Sequence, residues 1–147
     1  MLLDAQLLFS DLQAVTATAN STNIIDTLAA RDIAAGEDLF VVSYVTTTVT
    51  SSGSSTLVIT LETDDNSSFS SATTLYTTSS IAKATLVAGY RALAFKLPRY
   101  TERYLRLVYT VGTADFTAGK FLSGITLSGT VSDETRTPYP RASYGIA

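Results

Sequence analysis

Two stretches of this chain alternate apolar and polar residues with a period of two. In residues 56–63 (TLVITLET), Leu57, Ile59 and Leu61 point one way while Thr56, Thr60 and Glu62 point the other. In residues 103–111 (RYLRLVYTV), Leu105, Leu107, Tyr109 and Val111 share one face, and Tyr104, Arg106, Val108 and Thr110 share the other. Successive side chains of an extended chain project to opposite sides, so this pattern marks strands with one buried face. It also turns Arg106 outward, away from the leucines.

The remainder reads the same way. Thr and Ser make up more than a quarter of the chain and replace charge, which at 16% is below the roughly 25% usual for soluble domains. Thr, Val, Tyr and Ile favour strands. Further strands are predicted at residues 13–19 (QAVTATA), 39–49 (LFVVSYVTTTV), 73–78 (TTLYTT), 85–88 (TLVA), 90–97 (YRALAFKL) and 121–127 (FLSGITL). The runs at 39–49 and 56–63, joined by SSGSS, predict a hairpin. About eight short strands with frequent turns argue for an all-β antiparallel sandwich or barrel.

A length of 147 residues favours one domain. Residues 1–12 are expected to form an N-terminal arm, helical or extended, with Leu3, Leu7 and Leu8 at i, i+4 and i+5. Residues 13–129 form the β-domain. Residues 130–147 carry Pro138 and Pro140 without apolar periodicity, which predicts an extended or polyproline tail outside the core.

The chain has no Cys and no His. Disulfides, thiol nucleophiles and Cys-based metal sites are excluded, as are His general bases and His ligands. Neither enzymatic activity nor a cofactor or metal is expected. No apolar run approaches the roughly 20 residues that span a bilayer. The start, MLLDAQLLFSDL, has Asp4 within its apolar stretch and no basic n-region. It does not read as a signal peptide, so the chain is expected to be intracellular as synthesised.

Several patterns resemble chemistry without supplying it. Asp64-Asp65-Asn66 lacks the ligand spacing and glycine of a calcium loop and reads as an Asx-type turn. No G-x-S-x-G occurs, and GEDLF at 36–40 and AGYRA at 88–92 are ordinary turns.

The segment with positive content is LPRYTERYLRLVYTV, residues 97–111, where arginines alternate with tyrosines. Basic residues interleaved with aromatics suit either nucleic-acid stacking or a protein interface. A pI near 4.7 and the lack of a Lys/Arg-Gly-Phe-type run favour the protein interface. Charge is uneven as well. Asp4, Asp11 and Asp26 precede the first basic residue, while Lys83, Arg91, Lys96, Arg99, Arg103 and Arg106 are opposed only by Glu102 in their stretch. That predicts complementary surfaces, within one chain or between copies, unless the arginines only solvate an outward strand face.

Three segments resemble the capsid cement, or decoration, proteins of short-tailed double-stranded DNA bacteriophages. They are STNIIDTLAARDIAAGEDLFVVSYV (21–45), LVITLETDDNSSFSSATTLYTT (57–78) and LVAGYRALAFKLPRYTERYLRLVYTVGTADFTAGKF (86–121). The resemblance implies a jelly roll without catalytic residues or cofactor. It further implies homotrimers on the outer face of a phage head, made in the host cytoplasm and clamping neighbouring major capsid subunits, with neither nucleic acid nor membrane as partner. On chemistry alone, the expected interface residues are Arg99, Tyr100, Arg103, Tyr104 and Arg106, with Asp4 and Asp11 of the arm. Tyr139 and Tyr144 join them if the tail reaches a neighbour. The alternative is a β-sandwich module that binds carbohydrate or a receptor through exposed tyrosines, weakened by the absence of Trp. Single-strand nucleic-acid binding is a third reading and rests only on residues 83–109.

Overall fold

The computed structural model describes residues 3–127. Ten strands alternate with turns: β1 (Leu8–Ala14), β2 (Ala19–Asn20), β3 (Ile25–Asp26), β4 (Leu39–Thr50), β5 (Thr56–Asp64), β6 (Thr73–Thr77), β7 (Ile81–Ala82), β8 (Arg91–Lys96), β9 (Tyr104–Gly112) and β10 (Ala118–Leu127). Three-residue 3-10 turns lie at Ala5–Leu7 and Lys83–Thr85. The strands make two antiparallel sheets. One has the order β1-β10-β4-β8. The other has the order β2-β9-β5-β6, with β3 also on β9 and β7 also on β5.

Because β2 and β3 share a partner, as do β6 and β7, the ten strands reduce to eight positions. Numbered along the chain, the sheets then read 1-8-3-6 and 2-7-4-5. First pairs with last, second with seventh, third with sixth, and fourth with fifth. A long antiparallel ribbon wound over itself gives this order, and it is the double Greek key of the jelly roll.

The core lies between the sheets. Leu57, Ile59 and Leu61 on β5 and Leu105, Leu107 and Tyr109 on β9 are fully buried, opposite Phe9, Val41, Phe121 and Ile125. Both strands follow the alternation of their sequence. β4 does not, since Val41 to Val45 are buried without a break. Val42 and Tyr44 face outward, in a second cluster with Leu3, Phe40 and Ala94. The segment before β1 thus covers part of the outer face of the four-stranded sheet, and Gly124 permits the approach. A Cβ there would lie 2.9 Å from the Leu7 carbonyl oxygen.

Four expectations are corrected. First, β4 and β5 do not form a hairpin, because they belong to different sheets. SSGSS is an arch across the sandwich, and local turn chemistry is the same for an arch and a hairpin. Second, residues 13–19 are not one strand. β1 ends at Ala14, and the chain then crosses between the sheets. The Val15 N–H bonds the Gly119 carbonyl of one sheet, while Thr18 Oγ1 accepts the Val111 N–H of the other. Third, residues 85–88 begin in the last residue of a 3-10 turn and hold β4 by single contacts, such as the Val49 N–H to the Leu86 carbonyl, without forming a strand. Fourth, the arm is shorter than 1–12. Residues 8–12 belong to β1, which pairs with β10 because Phe9 is fully buried in the core. The predicted tail, residues 130–147, lies outside the described residues.

Candidate interaction surface

Pro98 ends the run after β8, and β9 begins at Tyr104, so residues 97–103 form a loop at one end of the six-stranded sheet. Leu97 and Thr101 are buried and anchor it. Arg99 and Tyr100 project from it, and Tyr100 is 86% exposed.

The loop is joined to residues 26–31. The Thr27 N–H and Oγ1 both donate to the Arg103 carbonyl, at 2.9 and 2.8 Å. Arg31 and Thr101 form an isolated antiparallel bridge. The Arg103 guanidinium grips Asp26 with two bonds, Nε to Oδ1 and Nη2 to Oδ2, each 2.8 Å. The hydrogen bond from Arg103 is the main reason the Asp26 carboxyl titrates at about 2. Partial desolvation opposes it, and the Leu28 N–H adds to it. That N–H reaches Asp26 Oδ1 at 2.7 Å. Leu28 itself has a left-handed φ of 69° and is 72% exposed. Two stapled loops therefore each hold one large apolar side chain in solvent, Leu28 and Tyr100.

The other arginines expected at an interface are occupied within the chain. Arg106 lies directly across the ladder from Glu62, with Nε and Nη2 each 2.8 Å from Glu62 Oε2. Its guanidinium also covers the Phe69 ring, 4.1 Å from the centroid. Phe69 comes from the DDNSSFSS loop, which closes on Asp64. The Asp64 carboxylate accepts the N–H groups of Asn66 and Ser71 and the Ser71 hydroxyl. Burial pushes the Asp64 carboxyl up, but these bonds outweigh it and hold it below the usual carboxylate range. The loop is an Asx-type turn, as the sequence predicts. Arg103 also covers the Tyr104 ring at 4.9 Å.

The predicted acid–base complementarity is thus met partly inside the chain, by Asp26 with Arg103, Glu62 with Arg106 and Asp38 with Lys96. Among the described residues, Asp4 and Asp11 take no part in it. They lie at the four-stranded sheet, where Asp4 Oδ1 caps the first 3-10 turn through the Gln6 N–H and Asp11 is exposed on β1. Tyr139 and Tyr144 lie outside the described residues. Leu28 was missed, because nothing in its neighbouring residues marks an exposed left-handed position.

Among the described residues, no three His, Cys, Asp or Glu side chains gather as metal ligands. Fold and geometry define a candidate interaction surface, two stapled loops on a jelly-roll sandwich. The family model Bbp16 matches residues 9–125, and the chain belongs to the Bbp16 family. No curated protein matches the chain.

Proposed function

We propose that this protein is a capsid cement protein that trimerises on the outside of a phage head and clamps adjacent major capsid subunits. The observation that carries the reading is the jelly-roll strand order, which runs through the three segments on which the resemblance rests. The stapled loops with Leu28 and Tyr100 supply a surface suited to the task. Preorganised loops lose little entropy on docking, and apolar side chains already held in solvent gain most from being covered.

A protein that binds the assembled shell and not its free subunits stabilises the shell by mass action, by about 2.7 kcal/mol per site at a hundredfold excess over Kd. Three linked binding surfaces raise the avidity further. Two structural details favour this reading over the alternatives. Arg103 and Arg106 are neutralised by acids of their own chain, which leaves less charge for phosphates. Tyr76 stacks on Phe95 at 4.2 Å, which removes a face that a sugar would use.

The test is to add the purified protein to heads that lack it. Binding in fixed stoichiometry, with greater resistance of the heads to heat, is the expected result. A protein that leaves such heads bare, or that retains specific glycans on an array, would overturn the proposal.

A further inference from the structure

The bulge in β1 holds a leucine under two unfavourable conditions at once. Ser10 pairs with Ser123 and Gln13 with Phe121, so β1 carries one residue more than β10 over this span. Leu12 falls in the bulge, with a left-handed φ of 50°, and is 53% exposed. Of the other non-glycine residues described with a positive φ, Phe69 is buried and Thr113 is polar, so only Leu28 is likewise an exposed apolar side chain on strained backbone. Bulges re-aim side chains, and backbone strain gathers where a side chain is held for contact. Asp11, beside Leu12, is exposed, and among the described residues no basic side chain pairs with it.

The opposite edge of the sandwich carries a hollow. β1 is an edge of its sheet, while β7 lies on β5 on the side away from β9. About 260 Å³ opens there between residues 53–56 of the arch and Ala82, Lys83 and Ala84. That is below the roughly 300–1,000 Å³ usual for small-molecule sites and suits an inserted side chain. Lys83 Nζ donates to the Ser51 carbonyl at 2.9 Å, and among the described residues no carboxylate pairs with it. Knob and hollow lie toward the same end of the sandwich. Ala14 shares a row with Lys120 and Thr47, just before β4 gives way to the arch.

We infer that Leu12 of one copy enters the Lys83 hollow of the next, with Asp11 against the Lys83 ammonium. Two different patches make a head-to-tail contact, and such a contact closes into a ring when the patches stand at similar height on opposite sides. These patches do. Their charges are complementary, and docking covers an apolar side chain that the bulge already holds in solvent. Leu28 and Tyr100 stay free, because β9 meets the arch at Gly112, opposite Thr56, and begins near their loops at Tyr104, opposite Asp64. One end thus serves copies of the chain and the other serves the shell. The inference rests on the proposed trimer and names the surfaces that hold it.

The chain has no Cys, so introduced cysteines report only the chosen pair. The full-length chain with both Leu12→Cys and Ser54→Cys should give covalent closed trimers on mild oxidation, and neither single variant should crosslink. In sedimentation, Asp11→Lys or Lys83→Glu alone should weaken association about tenfold or more, and the two together should restore most of it. If Lys83→Glu disturbs folding, as read by circular dichroism, the cysteine pair decides. Dimers crosslinked by Leu12→Cys alone would make the contact symmetric and overturn the inference. A trimer that resists both charge reversals and leaves the cysteine pair unlinked would put the contact elsewhere and overturn it. A wild-type chain that is monomeric at every concentration would overturn it together with the trimer. Head binding is measured separately, so uptake by heads in any of these cases leaves the cement reading standing.

Discussion

The hydroxyl of Tyr109, on β9 of one sheet, lies 2.8 Å from Oγ of Ser123, on β10 of the other. Ser10, Ser123 and Ser43 stand side by side on β1, β10 and β4 in one row of the four-stranded sheet. Tyr109 also meets Ser10 Oγ at 2.9 Å, and Ser123 donates to Ser43 at 2.7 Å. Ser10 in turn donates to Gln13 Oε1 at 2.7 Å. A buried polar chain ties the two sheets together inside an otherwise apolar core.

Tyr109→Phe keeps the ring and its packing on Phe121 but takes the shared partner from two buried serines. Ser10 and Ser123 keep their bonds to Gln13 and Ser43, and the loss of a shared buried hydrogen bond costs about 0.5–1.5 kcal/mol, so the denaturation midpoint should fall measurably with an unchanged m-value. A midpoint equal to wild type would mean that the chain of hydroxyls contributes nothing net. Burial pushes the Tyr109 hydroxyl pKa up despite its serine partners, so it should still be protonated when exposed tyrosines have titrated in ultraviolet spectra.

Leu107 and Tyr100 lie a few residues apart and should behave in opposite ways. Leu107→Ala opens a cavity in the sealed core and should cost about 2–5 kcal/mol. Tyr100→Ala removes an exposed ring and should change stability by less than about 0.5 kcal/mol. Urea titrations of both variants check this. The cement reading adds that Tyr100→Ala weakens binding to heads by at least about 1 kcal/mol.

At Leu28 folding and binding should separate. The left-handed conformation costs a residue with a Cβ roughly 1–2 kcal/mol, and glycine adopts it freely. Leu28→Gly relieves that strain and gives some of it back as unfolded-chain entropy, so stability should stay within about 1 kcal/mol of wild type. Head binding should nevertheless weaken about tenfold or more. A variant that keeps both stability and binding would remove Leu28 from the interface.

The pH dependence should be one-sided. Asp26 titrates at about 2 in the folded chain against 3.8 ordinarily, and Asp64 is also lowered. Between those values the unfolded chain binds more protons than the folded one, so acid favours unfolding. The stability these carboxylates contribute is complete above about pH 4 and drains away as pH falls toward 2. With no His, no side chain of ordinary pKa titrates between about pH 6 and 8, and melting temperature should be level there. A midpoint near neutrality would require a strongly shifted carboxylate.

Strand identity was legible in β5 and β9, where one buried face leaves an alternation, and was missed at β1, where Leu7, Leu8 and Phe9 read as part of an arm. The alternations in β5 and β9 are local, and each correctly sorted Leu57, Ile59, Leu61, Leu105, Leu107 and Tyr109 from their outward neighbours. At β4 the strand itself was legible from its β-branched run at 39–49, but its inward face was not, because both faces are covered and no alternation exists to be read. Within the candidate surface, Tyr100 was found because its neighbours are basic and a proline precedes them. Leu28 was not, since exposure at a left-handed turn leaves no mark in the sequence.

Local chemistry alone settled that this chain makes strands, where most of them lie and which face of β5 and β9 turns inward. Those are properties of a few consecutive residues. Partnership is not such a property. β1 pairs with β10, and β4 pairs with β10 and β8, across separations that no turn signal spans. Asp26 and Arg103 are 77 residues apart, and Ser43 and Ser123 are 80 apart. Whether Arg103 and Arg106 are free to meet a partner depends on acids brought to them only when the sheets assemble, because the pairing energy exists only in the three-dimensional register.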